Sequence, residues 1–280
     1  MKFIYMADTH FGGSDDCGYR QQNRYLSHAR ELIAALNEWI RKDGGIDFIV
    51  HGGDMVEAGT EENIAAAAEL MAGLDLPVYL ALGNHDLTEP DSYQAWLRCA
   101  PQFFGGGSSN FSIVRGPVEL DILCAHWGAV PYLWVREEEQ IPYFDPFQMA
   151  QLARESSGTR IIVSHAPPCG MPGPQAGLEN ELHPPAGDFP ETVKDISRRY
   201  RPALFLGAHN HMNLLVHREG AWLATVSAYT ETPFEFKVVE IGEDGTLHMK
   251  TVGLASAVGF RTDYDFGKTY IQGRPCDRSF

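Results

Sequence analysis

Asp, Asn and His recur in this chain in short groups: Asp8-Thr9-His10, Gly52-Gly53-Asp54, Gly83-Asn84-His85-Asp86, Ser164-His165 and Gly207-Ala208-His209-Asn210-His211. Carboxylate, amide oxygen and imidazole together form a donor set for divalent transition metals, better suited to Zn, Mn, Fe or Co than to Mg. Histidine is the commonest metal ligand, and eleven are present. Two such cations roughly 3.5–4 Å apart can clamp a phosphate ester and stabilise the attacking and leaving oxygens together. Two like charges that close need a bridging anion, which a carboxylate such as Asp54 can supply. Glycines beside the donors let the backbone turn tightly.

The elements that must position these residues are strands. Residues 2–7, 47–50 and 77–82 are short apolar runs. Between them lie residues 24–42, with Leu26, Ala29, Ile33, Leu36 and Ile40 at helical spacing, and the Ala-rich stretch 61–74. This β-α-β-α-β order predicts parallel pairing with helices packed on the sheet. Further strands are predicted at 110–114, 119–125, 160–164 and 203–206, and helices near 146–155 and 191–199. Beyond that the chain reads as meandering β at 213–217, 221–226, 234–241 and 247–252. Five predicted strands are followed directly by Asp, His or Asn, and ligands bind at the carboxyl ends of parallel strands. Residues 8 to 211 are therefore expected to converge. The proline-rich stretch 166–190, with Pro167-Pro168 and Pro184-Pro185, cannot be a regular helix or a central strand and reads as a loop at a site mouth.

The series D-x-H, G-D, G-N-H-D, H-x-P and H-x-H, in that order, resembles the calcineurin-like metallophosphoesterase superfamily over residues 8–211. The resemblance implies an α/β fold, a four-layer α-β-β-α sandwich with two divalent transition-metal ions at its edge. It implies that Asp8, His10 and His211 hold one ion, that Asn84, His165 and His209 hold the other, and that Asp54 bridges them. His85 would approach the substrate phosphate and protonate the leaving alkoxide, Asp86 would orient His85, and the nucleophile would be a hydroxide on the metals. The pattern departs from the usual G-H-x-H at Ala208, and Glu57 stands where relatives often carry Asp or Asn. It lacks the D-x-x-Y of purple acid phosphatases and the D-x-x-D-R-G of serine/threonine phosphoprotein phosphatases. The chain looks most like the bacterial class III cyclic-nucleotide and glycerophosphodiester phosphodiesterases, which implies hydrolysis of small phosphodiesters. A phosphomonoesterase on a nucleotide or sugar phosphate is the alternative; a nuclease or a non-catalytic scaffold ranks lower.

Twenty-two Lys+Arg against 37 Asp+Glu give a net charge of −15 over 280 residues, which argues against a nucleic-acid partner. The same field repels a small phosphate ester unless bound cations reverse the sign locally. No run reaches the roughly 18 apolar residues of a membrane helix, and Met1–Ala7 reads as a strand, not a signal core. Five scattered cysteines read as free thiols of a cytoplasmic protein. Outside the motifs, His51 reads as structural. His126-Trp127, at the end of the 119–125 strand, either lines the substrate cleft, with His126 as the candidate, or is a packed strand end. His28, His183, His217 and His248 read as solvated or locally bonded, and Glu137–Glu139 as a solvated face. Residues 1–255 are expected to form the metallophosphoesterase domain. Residues 256–280, with Tyr264, Phe266 and Tyr270, form an extension for packing or for a subunit contact in a homo-oligomer.

Overall fold

The structure, a computed structural model, describes residues 1–16, 20–136, 140–156 and 158–280. Cys17 and Glu137–Glu139 lie outside the described residues. Three parallel strands, β1 (Lys2–Met6), β2 (Phe48–His51) and β3 (Val78–Leu80), lie side by side in a first sheet, with β3 at its edge. The helices α1 (Ala29–Asp43) and α2 (Glu61–Met71) connect them, as the alternating order predicts. The α1 stripe Leu32, Ile33, Leu36 and Ile40 is buried in the core, at roughly 1.5–3 kcal/mol per fully buried side chain. Thr60 caps α2 by accepting from the Asn63 N–H at 3.3 Å, and Glu61 and Glu62 sit in the first turn, where the helix dipole favours negative charge. A further helix, α3 (Ser92–Cys99), was not predicted: its short amphipathic pattern follows directly on a turn.

The second sheet contains β4 (Phe111–Arg115), β5 (Val118–Leu123), β6 (Thr159–Ser164), β7 (Leu204–Gly207), β8 (Leu214–Arg218) and β9 (Ala221–Thr225), in the order β4-β5-β6-β7-β9-β8. The helices of this half are α4 (Pro146–Leu152), the single turn α5 (Gly173–Ala176) within the proline-rich loop, and α6 (Phe189–Tyr200). Asp145 opens α4 with a capping box: its carboxylate accepts from Gln148 N–H at 2.8 Å, and the Gln148 side chain accepts from Asp145 N–H at 2.8 Å. Alternation along the strands sets the layers. Ile161, Val163, Leu204 and Leu206 face the core shared with the first sheet. Ile162 and Phe205 face outward, onto Leu152, Phe189, Val193 and Ile196 of the helices. Two sheets face each other and helices flank them, which is the α-β-β-α order.

The last four strands do not form one meander. β8 and β9 make a hairpin in the second sheet, with β9 parallel to β7. The hairpin of β10 (Glu235–Ile241) and β11 (Leu247–Gly253) returns to the first sheet, with β10 antiparallel to β1. Sequence periodicity cannot separate these choices, since a strand buried on both faces reads the same in either sheet. After β11 the tail lies on both sheets. Phe280 stacks on Trp222 at 4.4 Å, its backbone pairs with Met249, and Asn213 N–H donates to Ile271 O at 2.7 Å. Arg278 is ion-paired with buried Glu235. No helix among the described residues is long and apolar enough to cross a membrane.

Candidate functional site

The turns that leave β1, β2 and β7 hold non-glycine residues in the left-handed region: Asp8 (φ 55°), His10 (φ 48°), Asp54 (φ 52°), His209 (φ 70°) and His211 (φ 56°). Each such residue costs on the order of 1–3 kcal/mol and persists only where its surroundings fix it. Here the β1 and β2 turns run side by side: Asp8 N–H donates to Gly53 O, His10 N–H to Asp54 O and Phe11 N–H to Met55 O, at 2.9–3.0 Å. His209 N–H donates to the Asp8 carboxylate at 3.2 Å, tying the two sheets together at this edge. Two glycines are required by close approach. A Cβ on Gly83 would strike the Asp54 carboxylate and backbone N, and one on Gly53 (φ 103°) would strike the His165 ring.

These turns gather two groups of donors, Asp8/His10/His211 and Asp54/His165/His209, each with ligand atoms within 4.8 Å of one another. His165 Nδ1 donates to Gly52 O at 2.9 Å, and His211 Nδ1 to the Glu231 carboxylate at 2.8 Å, so in each ring Nε2 is the nitrogen left to ligate. Asp54 Oδ2 lies 3.2 Å from His165 Nε2 and 3.7 Å from His10 Nε2, so one carboxylate reaches both groups. Asn84 Oδ1 lies 3.0 Å from His209 Nδ1. All seven residues predicted as ligands thus come together although they span residues 8 to 211.

The residues fit divalent ions by two observations. Buried Asp8 Oδ2 has no hydrogen-bond partner among the described residues, and His165 Nε2 makes none either despite its nearness to Asp54. His10 Nε2 and His211 Nε2 are 3.3 Å apart, a separation suited to two nitrogens on one ion. The guanidinium of buried Arg20 stands against both, with Nη1 at 3.1 Å from His10 Nε2 and 3.2 Å from His211 Nε2, so it competes for the nitrogens an ion would take. Burial pushes the Asp8 carboxyl up to about 6 against the pull of His211 and His165. Asp54 is driven up by burial too, but the His165 and His85 charges overcome it and hold the carboxyl far below the usual range. Burial drives His209 down to about 3, which keeps its imidazole neutral for ligation.

His85 is 7% exposed at the edge of this cluster. Its Nδ1 donates to Glu57 O at 2.8 Å and lies 3.7 Å from the Glu57 carboxylate. Asp86 does not contact it as predicted. The Asp86 carboxylate accepts from Gly83 and Val56 N–H at 2.8 and 3.1 Å, so it fixes the turn that carries Asn84 and His85. Burial, with the nearby Asp54 charge, raises Asp86 to about 7. Glu57 also meets Arg20 at 2.7 Å, Arg24 at 3.3 Å and His10 Nδ1 at 3.2 Å. His10, Glu57 and His85 form a third donor group by distance, but the two guanidinium ions make it a poor cation site.

A cavity of about 270 Å³ opens beside His209 and His211, lined among others by Trp127, Pro142, Pro184 and Pro185. Residues 166–190 supply one wall of it, as expected of a site-mouth loop. His126 does not line it: it is fully buried, with Nε2 3.2 Å from Asp145. Its neighbour Trp127 takes the cleft position, against the rings of His209 (4.6 Å) and His165 (5.6 Å). His183, read from sequence as solvated, also lines the cavity, with φ 49°. His51 is buried, accepts from Gly53 N–H and meets Thr9 Oγ1 at 3.0 Å, a structural bracket for the β1 and β2 turns. His28 pairs with Glu31 at 2.8 Å and stacks on Phe260. Sequence reasoning missed Arg20 and Glu231, and it singled out the pair His126-Trp127 without telling which of the two lines the cleft. Glu231 follows the last motif by 20 positions, and nothing local marks it.

A sequence model of the calcineurin-like phosphoesterase family matches residues 1–213. Over 90 residues the chain is 36% identical to a probable cyclic nucleotide phosphodiesterase of Rhodopseudomonas palustris, a stretch spanning 32% of this chain and 31% of that relative. The fold is similar to that of GAP50, the anchor in the inner membrane complex of Plasmodium, with a TM-score of 0.60, 11% identity and coverage of 95% of this chain and 88% of that one. It is also similar to the 5′-nucleotidase from Candida albicans, with a TM-score of 0.54, 12% identity and coverage of 95% and 55%. The family match runs from β1 through the last donor, His211, and the chain belongs to the calcineurin-like phosphoesterases.

Proposed function

We propose that this phosphoesterase uses a binuclear centre to hydrolyse small phosphodiesters of the cyclic-nucleotide or glycerophosphodiester type. The observation that carries the reading is the pair of donor groups joined by Asp54, with His85 at their edge. Asp8, His10 and His211 would hold one ion, Asn84, His165 and His209 the other, and Asp54 both. The ions supply Lewis acidity, polarising the phosphoryl oxygens and lowering the pKa of water. The chain itself does the rest. Glu231 and Gly52 O fix the ring orientation of His211 and His165. Because His85 Nδ1 donates to Glu57 O, the proton it can give is at Nε2, available to the leaving oxygen. Preference for a diester is supported by the named activity of the Rhodopseudomonas relative.

Turnover of bis(p-nitrophenyl) phosphate against p-nitrophenyl phosphate by Mn-loaded protein tests the reading. Faster diester hydrolysis is expected, and a monoester preference would replace this proposal with a phosphomonoesterase. Asp54→Ala is expected to lose both ions by elemental analysis. Two ions per chain in that variant would refute bridging.

A further inference from the structure

Three nitrogens form a nearly equilateral triangle at the first donor group. His10 Nε2 and His211 Nε2 are 3.3 Å apart, and Arg20 Nη1 lies 3.1 Å from one and 3.2 Å from the other. That is the spacing of neighbouring ligands around one ion. A guanidinium carries donors and no acceptor, so Nη1 is not itself a ligand. It stands where an oxygen from outside the chain would complete the set, and it brings N–H groups to that place. The guanidinium is held there from behind, with Nη2 donating to the Glu57 carboxylate at 2.7 Å. Two positions on, Gln22 N–H donates at 3.1 Å to Glu231, the same carboxylate that accepts from His211 Nδ1. The Gln22 amide also pairs with the Asp265 backbone of the tail, at 3.1 and 2.9 Å. Arg20 is 5% exposed, so it is a fixed donor and not a solvated surface charge. Arg24 and Arg136 share the Glu57 carboxylate with it, at 3.3 and 3.6 Å. Three guanidinium groups thus meet one carboxylate beside the donors, in a chain whose net charge is −15.

We propose that Arg20 donates to a non-bridging oxygen of the substrate's phosphoryl group, and that it makes ion binding and phosphate binding depend on each other. The inference rests on the binuclear reading above and adds to it a residue that contacts the phosphoryl group itself, not an ester arm. Without an anion, the guanidinium and an ion repel each other and compete for the same lone pairs, so Arg20 opposes the ion. A phosphoryl oxygen between them reverses both effects. It takes the place at Nη1, accepts from the guanidinium and faces the ion, while Nη2 keeps its hold on Glu57. Charge-assisted hydrogen bonds from Arg to phosphate are among the stronger ones. A donor already in place also needs little reorganisation as charge grows on the phosphoryl oxygens during attack.

Calorimetric titration of inorganic phosphate into Mn-loaded protein gives a readout without turnover. Arg20→Gln is expected to bind phosphate about 10–100-fold more weakly than wild type, with its ions retained by elemental analysis. Arg20→Lys keeps the charge but not the fork that reaches Glu57 and an oxygen together, so a smaller loss is expected. The coupling of the two ligands is what a structural role of Arg20 would not move. Phosphate is expected to tighten Mn binding more in wild type than in Arg20→Gln, by at least about tenfold. In Arg20→Gln, kcat/KM for bis(p-nitrophenyl) phosphate and for p-nitrophenyl phosphate is expected to fall by similar factors, since the two share the phosphoryl group. Wild-type phosphate affinity in both variants, or a fall confined to one of the two substrates, would overturn the inference and leave the binuclear reading standing. Should Arg20→Gln not fold, Arg20→Lys decides, and wild-type affinity in it overturns the inference. Absence of Mn binding by wild type would remove that reading and this inference together.

Discussion

At the scale of single residues, what decides the site is which atom of each side chain is left over once its supporting bond is made. His85 gives Nδ1 to Glu57 O, so in the proposed reaction it would act through Nε2. His85→Ala is expected to lower turnover by about 10²–10⁴-fold with metal content unchanged, checked by steady-state kinetics beside elemental analysis; full activity would sink the assigned role. Arg20 is the residue that sequence gave no reason to choose, because it lies in an irregular segment outside every motif. Its guanidinium donates toward His10 Nε2 and His211 Nε2, the two nitrogens that would hold an ion. An ion and these hydrogen bonds compete for the same lone pairs. Arg20→Gln is therefore expected to tighten binding of the ion at Asp8, His10 and His211 by about tenfold in a Mn or Co titration, and an unchanged isotherm would show no competition. The motif residues were legible only as a set: Asp8 alone reads as a cap and Asn84 alone as a turn residue, and it is five such groups in order, each after a strand, that point to a metal centre. The partners that orient them were not, because a hydrogen bond such as His211 to Glu231 leaves no trace in local sequence.

At the scale of elements, the strands end where apolar runs give way to donors, and the turns pay for function with strain. Five proposed ligands have positive φ, a conformation that alone would destabilise each turn. Neighbouring turns hold one another by backbone hydrogen bonds, which is why the pattern Gly-Gly-Asp and Gly-Asn-His-Asp tolerates no bulk. Gly83→Ala is expected to lower stability by about 1–3 kcal/mol and to reduce metal content, because its Cβ would displace the Asp54 carboxylate. Thermal melts and elemental analysis of the same sample check it. Gly116→Ala is the control: it also has positive φ, but its Cβ would meet nothing within 4 Å, so a smaller loss and full metal content are expected.

At the scale of the whole molecule, the two sheets share one core, and a charged network is sealed where they meet the tail. Lys237 is fully buried and donates to Asn213 and Thr251, both at 3.0 Å, while nearby Glu235 accepts from Asn213 and Ser227 and pairs with Arg278. Burial pushes the Lys237 ammonium down to about 7 despite the attraction of Glu235. Between about pH 7 and the ordinary lysine range the unfolded chain then binds the proton that the folded chain has lost, so this group makes stability rise with pH across that window, by at most about 1.4 kcal/mol per unit. Wild type is expected to gain stability relative to Lys237→Met between pH 7 and 10 in denaturant titrations. A difference that does not change with pH would show that Lys237 stays charged in the fold.

The sequence alone determined the donor set, its order along the chain and the strands that end beside it, because each depends on residue type and on contacts near in sequence. The net charge of −15 likewise set what the molecule repels at a distance. Tertiary structure decided the rest. It assigned the β8–β9 hairpin to one sheet and β10–β11 to the other, put Trp127 rather than His126 at the cavity, and brought Arg20, Glu57 and Glu231 to the donors. Those outcomes depend on pairings between residues up to some two hundred positions apart, and which distant atoms meet is fixed only when both sheets close on a common core.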